Sequence, residues 1–353
     1  MYRTGLVALL SVASLTLACK DEGTGTSAPS AGEPLTINGA GSTFAYPMYS
    51  KWFDEYHKLH PNTEFNYQSI GSGGGIRQVI AGTVDFGGTD GPMTPAQMAD
   101  FKGKHQADIL HLPTALGADV PTYNIKGVTQ ELNFTPDALA GIFLGKIKKW
   151  NDPAIADANP GVSLPADDIV VVHRSDGSGT TFVWVDYLAK VSPEWKQKVG
   201  VGTSVNWPVG LGGKGNEGVT GLVKQTQDSI GYVELIYAIQ NHIPYGKVKN
   251  SAGKFVKADL ASVTAAAAGA SKAMPDDFRV SITDPPGEAA YPISSFTWLL
   301  VPAKIPDAAK RAAMLDFLSW AMADGQNLLE PLSYARLPVE VVAKERQAIA
   351  RIQ

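Results

Sequence analysis

Three glycine-rich segments set far apart in the chain join small residues and hydroxyls just ahead of helix-like stretches. They are Gly39-Ala40-Gly41-Ser42-Thr43-Phe44, Gly71-Ser72-Gly73-Gly74-Gly75 and Asp176-Gly177-Ser178-Gly179-Thr180. Glycine lets a backbone approach a ligand closely, and the free N–H groups of a helix N-terminus point at whatever sits in front of them. The chemistry on offer is the holding of an anion by neutral dipoles. In the third segment Ser178 and Thr180 each offer a hydroxyl and an N–H, and Gly179 offers its N–H. Arg174 can grip two oxygens in fork geometry, with Asp176 holding the guanidinium in place. In the first segment Thr43 reads as the N-cap of a helix over 44–60, its N–H and hydroxyl joining the N–H of Phe44. Ser72 plays the same part ahead of Ile76. Taken singly, each segment also fits an ordinary capped helix start or a solvent turn.

Asp90 narrows the chemistry. A carboxylate suits an anion site only where the anion brings a proton, and phosphate at neutral pH keeps at least one. An ionised Asp90 accepts that proton as a hydrogen bond. Fully ionised sulfate has none to offer, which leaves two acceptors facing each other. A site built for one hydrogen bond rejects the analogue lacking it. Asp90-Gly91-Pro92 is at the same time good turn chemistry.

The elements that must position these groups alternate. Leu35-Thr36-Ile37 is a β-type run into the first segment, and Phe44, Met48, Trp52, Phe53, Tyr56 and Leu59 follow at helical spacing. Phe65-Asn66-Tyr67 alternates like a strand ahead of the second segment, and Ile76, Val79 and Ile80 form the inner face of the next helix. Val84-Asp85-Phe86 is strand-like and runs out toward Asp90. Thr94 then caps a helix with Pro95 at its first position. A second region holds a helix from Thr135-Pro136, a strand over 169–172, a helix after Thr180, a helix near 216–225 and a strand over 230–233. An alanine-rich helix over 261–273 precedes the break at Pro285-Pro286-Gly287. A strand-like run over 291–301 follows, then a helix with Met314, Phe317, Leu318 and Met322 on one face. Strand, loop and helix in repeated order predict an α/β fold with ligand-facing loops at strand C-termini.

At 353 residues two domains are the default expectation. The net charge of -4 and the lack of a long basic run exclude a nucleic-acid footprint. They do not exclude anion binding, because local dipoles decide such a site. At the N-terminus Arg3 precedes an apolar run over 6–18, too short to span a bilayer comfortably. Residues 1–18 are expected to be a signal peptide. Leu17-Ala18-Cys19 resembles a bacterial lipoprotein cleavage site with Cys19 as the lipidated residue, although Thr16 stands where leucine is usual. Cys19 is the single cysteine, so no intramolecular disulfide can form. Residues 19–34, rich in Gly, Ser, Thr, Ala and Pro, read as a flexible tether.

The strings 39–44, 67–74, 84–90 and 174–180 resemble the phosphate-binding component of the phosphate-specific ABC transporter. So do Leu144-Gly145-Lys146-Ile147-Lys148-Lys149-Trp150, the run Trp207 through Asn216, and Gly231-Tyr232-Val233-Glu234, and the similarity extends from about Leu35 to the C-terminus. The resemblance implies an α/β, two-lobed periplasmic-binding-protein fold of type II with the ligand in the interlobe cleft. Lobe I would be 35–117 with 288–353 and lobe II 118–287, the chain crossing near 115–120 and again near 285–292. It implies Thr43, Phe44, Ser72 and Asp90 as ligands from lobe I, and Arg174, Ser178, Gly179 and Thr180 from lobe II, with Asp176 in support. The ligand would be inorganic phosphate, with no cofactor, metal or catalytic residue. Inner-membrane ABC permease subunits would be the partners of a monomer held in the periplasm, tethered through a lipid on Cys19. Two positions depart from the family: the segment 118–122 is more polar than its usual crossover, and Gly73 stands where serine is common.

Other motifs are weaker. Gly210 to Gly215 satisfies G-x-G-x-x-G, with Glu234 about where a ribose-binding acid falls. Yet Trp207-Pro208-Val209 is a poor parallel strand, and Lys214 lacks the Ser or Thr that a P-loop needs after it. His57 and His60 read as solvated side chains of an amphipathic helix and not as a metal face. The tryptophans are scattered and form no stacking platform. No G-x-S-x-G elbow surrounds Ser42, Ser72 or Ser178, which sets a phosphatase or serine hydrolase behind a receptor. A carrier of another oxyanion is the nearer rival; Asp90 speaks against sulfate and molybdate but not against arsenate.

Overall fold

The computed structural model describes residues 34–272 and 274–353. The expected signal peptide, Cys19 and the tether up to residue 33 lie outside the described residues.

Strand β1 (Leu35–Gly41) is followed by α1 (Tyr46–Leu59), β2 (Thr63–Ser69), α2 (Ser72–Ala81), β3 (Phe86–Thr89) and α3 (Pro95–His105). The long strand β4 (Ile109–Asn124) leads to β5 (Asn133–Phe134), α4 (Pro136–Phe143), α5 (Pro153–Ala156), β6 (Val170–Arg174), α6 (Gly179–Val191) and α7 (Pro193–Lys198). Next come β7 (Leu211–Gly213), α8 (Gly215–Gln225), β8 (Ser229–Glu234), α9 (Leu235–Gln240), β9 (Lys247–Lys249), β10 (Phe255–Val256) and α10 (Leu260–Lys272). Toward the C-terminus lie β11 (Ser294–Pro302), α11 (Ala308–Ala321) and α12 (Val339–Ile349).

Eight strands form one sheet in the order β2-β1-β3-β11-β4-β8-β6-β7. Strand β4 unites it by changing partners along its length. Its first part pairs antiparallel with β11 as far as Ala118 opposite Ser294, and its second part pairs with β8 from Asp119 opposite Glu234. Within the sheet the set β2-β1-β3-β11 and the set β8-β6-β7 are therefore joined through β4. Strand β4 was legible in the sequence only as a crossover, because Pro113 and Pro121 argue against a central strand. Pro113 is tolerated because the register of β4 on β11 shifts there, between Thr297 and Trp298.

Several local expectations need correcting. Helix α1 begins at Tyr46, with Ala45 at the N-cap and no side-chain cap; Pro47 sits in its first turn. Thr43 is thus not its cap. Ser42 Oγ accepts from the N–H of Ala45 at 3.1 Å, and Pro47, with its fixed φ, suits the start of a helix. The buried stripe of α1 is Met48, Tyr49, Trp52, Phe53 and Tyr56, whereas Leu59 is 61% exposed. His60 closes that stripe instead, its ring stacked 4.3 Å from that of Tyr56. The first residues of the second glycine segment are helical from Ser72, behind Gly71 at φ +85°. The segment after Pro208 does form a parallel strand, but only past Trp207-Pro208-Val209 and Gly210, with Leu211 to Gly213 pairing on β6. Thr94 and Thr135 cap α3 and α4 as their spacing predicts.

The core is aromatic beside the first strand set. Phe65 lies 4.4 Å from Phe317 and stacks at 5.2 Å on Phe53, and Trp52 Nε1 donates to Gly325 O at 2.8 Å. In the second set Trp184 stacks on Tyr232 at 5.0 Å. Each such buried side chain contributes about 1.5–3 kcal/mol, which makes a rigid base for the loops above. Among the described residues no helix is long and apolar enough to cross a membrane.

Candidate functional site

The candidate residues gather where parallel strands end and helices begin. Thr43 and Phe44 follow β1, Ser72 opens α2 after β2, Asp90 follows β3, and Arg174 ends β6 ahead of α6. This is the edge at which open α/β sheets place their ligands.

Asp90 is 1% exposed. Ser42 Oγ donates to both its oxygens at 2.6 and 2.7 Å, Thr297 Oγ1 donates to Oδ1 at 2.7 Å, and Ser72 Oγ reaches Oδ2 at 3.3 Å. Burial pushes its pKa up to about 6, against the lowering effect of those hydroxyls and of Arg174. The carboxylate is consequently held as an acceptor at neutral pH. Three hydroxyl protons against about four lone-pair sites leave it one acceptor position for a further donor.

On the other side of the cleft Arg174 is equally buried. Its Nε and Nη2 donate to Asp176 Oδ1 and Oδ2 at 2.8 and 2.5 Å, and its Nη1 donates to Thr180 Oγ1 at 3.2 Å. Asp176 also accepts from Gly215 N at 3.0 Å. Its own burial raises its pKa, but the hydrogen bonds and charge of Arg174 outweigh that and hold it below the usual carboxylate range. The guanidinium is thereby oriented and its remaining donors are free to meet a ligand.

Helix α6 starts at Gly179 with Ser178 as N-cap, its Oγ accepting from Thr181 N at 2.9 Å. The backbone N–H of Ser178, read from the sequence as a ligand donor, instead donates to Thr203 O at 2.7 Å, because the 203–204 loop runs beside it. Ser178 retains its hydroxyl proton, and the N–H groups of Gly179 and Thr180 belong to the unpaired first turn. Phe44 is held through its main chain and ring: Tyr334 Oη donates to its carbonyl at 2.5 Å, and the ring packs over Gly117, where any Cβ would collide with it.

Contacts join the two sides. A Cβ on Gly179 would collide with Asp90 Oδ2 and Ser72 Oγ, and one on Gly71 with Asp176 Oδ2. Thr43 Oγ1 accepts from Asn216, and Tyr237 Oη donates to Thr43 O at 2.6 Å. The cleft is closed, with Thr43, Ser72, Asp90, Arg174, Gly179 and Thr180 linked through these contacts.

Sequence reasoning missed Ser42, Thr297, Asn216, Asp119 and Glu234. Asn216 lay inside a quoted motif and Ser42 inside the first segment; Thr297 carried no signal, since it comes from a strand remote in sequence. Asp119 and Glu234 face each other across β4 and β8, fully buried. Both carboxyl oxygens of Asp119 and Oε1 of Glu234 lack a hydrogen-bond partner, and burial keeps both groups well above the ordinary carboxylate range. Among the described residues no group of three His, Cys, Asp or Glu side chains is placed to hold a metal ion.

Two strand sets sharing one strand, with their loops closed over a buried acceptor and a buried guanidinium, define a two-lobed α/β binding protein. Residues 25–324 match the PBP superfamily domain. The chain is 48% identical over 324 residues to the phosphate-binding protein PstS of Xylella fastidiosa strain 9a5c, covering 91% of this chain and 87% of that one. It is 47% identical over 312 residues to the phosphate-binding protein PstS of Pasteurella multocida strain Pm70, covering 88% of each. It also resembles PfluDING, a high affinity periplasmic phosphate-binding protein solved with phosphate bound, at a TM-score of 0.73. That match, at 21% identity over 89% of this chain and 93% of the other, carries the fold alone. The chain belongs to the PBP superfamily and, within it, to the family of PstS phosphate-binding proteins.

Proposed function

We propose that the protein binds inorganic phosphate with high affinity outside the inner membrane and delivers it to an ABC importer. Lobe I (35–117 with 288–353) and lobe II (118–287) close over the dehydrated anion. Thr43, Phe44, Ser72 and Asp90 hold it from one side and Arg174, Ser178, Gly179 and Thr180 from the other, with Asp176 orienting Arg174. The observation that carries this reading is the state of Asp90: a buried carboxylate, saturated but for one position, opposite a wall of donors. Such a pair of walls suits a tetrahedral anion that keeps a proton. No residue is assigned a catalytic role. Opening at the point where β4 changes partners, between Ala118 and Asp119, releases the ligand to the inner-membrane permease subunits. The protein acts as a periplasmic monomer, tethered through a lipid on Cys19.

The test is calorimetric titration of phosphate-stripped protein with phosphate, then sulfate, at fixed pH and salt. One-to-one binding of phosphate with sulfate ignored supports the reading. Equal binding of both makes the protein a general oxyanion carrier, and silence toward both from folded protein overturns it.

A further inference from the structure

Asn216, fully buried at the start of α8, bonds to both sides of the cleft through one side chain. Its Nδ2 donates to Thr43 Oγ1 at 2.8 Å and to Thr180 Oγ1 at 3.0 Å, and its backbone N–H donates to Thr43 Oγ1 at 3.2 Å. Its Oδ1 accepts from the N–H of Glu234 at 3.0 Å, and this settles which end of the amide faces the threonines. A hydroxyl has one proton and two lone pairs. Thr43 Oγ1 receives two N–H donors from Asn216. Thr180 Oγ1 receives one from Asn216 and one from Arg174 Nη1 at 3.2 Å. Every acceptor position on both hydroxyls is filled, so each has only its proton left to give.

We infer that Asn216 is a positioning and specificity-determining residue that turns Thr43 and Thr180 into obligate hydrogen-bond donors toward the anion in the cleft. This rests on the phosphate reading above and deepens it. The Asn216 wall presents only protons, while Asp90 presents an acceptor, so a singly protonated tetrahedral anion fits in one orientation with its proton on the Asp90 side. A ligand group that brings a proton to the Asn216 wall meets two donors facing each other, which costs the desolvation of an unpaired group. The same amide ties Thr43 of one strand set to α8 of the other, so closure and hydroxyl orientation are coupled in one contact.

The inference is tested by a double-mutant cycle on phosphate affinity with Asn216→Ala, Thr43→Val and the two combined, with unliganded folding checked by circular dichroism. Asn216→Ala weakens phosphate binding by about 10–100-fold, the range expected for hydrogen bonds to a charged ligand. In the Thr43→Val background the same substitution costs several-fold less, because one of the two hydroxyls through which it acts is gone and only Thr180 remains. Losses that simply multiply would assign Asn216 a merely structural role and overturn the inference. Neutron diffraction of the parent with phosphate reads the same point without any variant: the Thr43 and Thr180 deuterons lie on ligand oxygens, and deuterons turned away from the ligand overturn it. A parent that binds no phosphate removes the proposed function and this inference together. A parent that binds, with multiplicative losses, removes this inference alone.

Discussion

Gly73 donates its backbone N–H to the carbonyl of Gly177 at 2.9 Å, joining the second and third glycine-rich segments across the cleft. A Cβ on Gly73 would stand 3.0 Å from Gly177 Cα, so the two main chains touch with no side chain between them. Neither residue has positive φ, which means that close approach, and not local turn geometry, calls for glycine here. The bond crosses between the strand sets, as do those of Thr43 with Asn216 and Tyr237. Closure thus joins a main-chain contact at Gly73 and Gly177 to side-chain bonds at Thr43.

Gly179 is a second exacting glycine of that contact. Its substitution by alanine suits the first turn of α6 but drives a methyl group into Asp90 Oδ2 and Ser72 Oγ. Gly179→Ala is expected to fold with an unchanged unliganded melting temperature and to lose phosphate affinity by more than about 100-fold, or about 2.7 kcal/mol. Small-angle scattering, which should show the parent compacting on phosphate addition, should show no such change in the variant. Parent-like affinity would mean that the lobes close less tightly than this.

Those glycines, with the hydroxyls beside them, are why the loops could be read from the sequence. Small residues before apolar helical spacing signal a helix start whatever the fold. The Arg174–Asp176 pair was equally local, two residues apart and joined by two hydrogen bonds. What escaped was long-range. Thr297 reaches Asp90 from a strand 207 positions away, and Asn216 reaches Thr43 across 173. Neither spacing leaves a periodic trace. The Thr43 cap failed because Ser42 answered the local N–H, leaving Thr43 to face Asn216. Strand β4 was obscured by its prolines; the sheet shifts register at Pro113, while Pro121 sits in regular pairing opposite Tyr232.

Asp90→Asn should keep the fold and change the choice of ligand. The amide retains acceptor capacity for Ser42 and Thr297 but turns N–H donors toward the cleft. Phosphate then loses the acceptor for its proton and sulfate gains a donor. The phosphate-to-sulfate affinity ratio is expected to fall by at least about 100-fold, in line with sites built around one buried hydrogen bond. Competitive calorimetry measures it, and an unchanged ratio would place discrimination elsewhere.

Titration of Asp90 gives the same prediction a pH axis. Burial pushes its pKa up to about 6, so the carboxylate is ionised above that value and protonated below it. Once protonated, Asp90 donates, and an anion without a proton is no longer penalised. Selectivity for phosphate over sulfate should therefore be flat above about pH 7 and erode as pH falls through about 6. The Asp90→Asn variant should show no such slope. Erosion of equal size in both would assign it to the ligands themselves.

Asp119 and Glu234 predict an unusual pH dependence of stability. Burial is the largest cause of their raised values; Asp90 adds to both, Glu234 adds to Asp119, Arg174 opposes for Asp119, and the backbone N–H of Ile236 opposes for Glu234. Tyr291 Oη donates to the Asp119 carbonyl and leaves its carboxyl unrelieved. A carboxyl whose folded pKa lies above its unfolded value binds more protons when folded. Its contribution to stability is complete below the unfolded value, about 3.9 for Asp and 4.3 for Glu, and is lost as pH rises through the folded value. Unfolding free energy of the parent should thus decline as pH rises from about 4 toward the alkaline side. Asp119→Val removes the unpartnered oxygens from a strand that accommodates a β-branched residue, and should stabilise the protein by about 1–3 kcal/mol at pH 8 while flattening the decline. Urea unfolding across that range measures both effects. Destabilisation with the slope intact would show that the Asp119 carboxyl gains more from Glu234, by sharing a proton with it, than it costs by being buried.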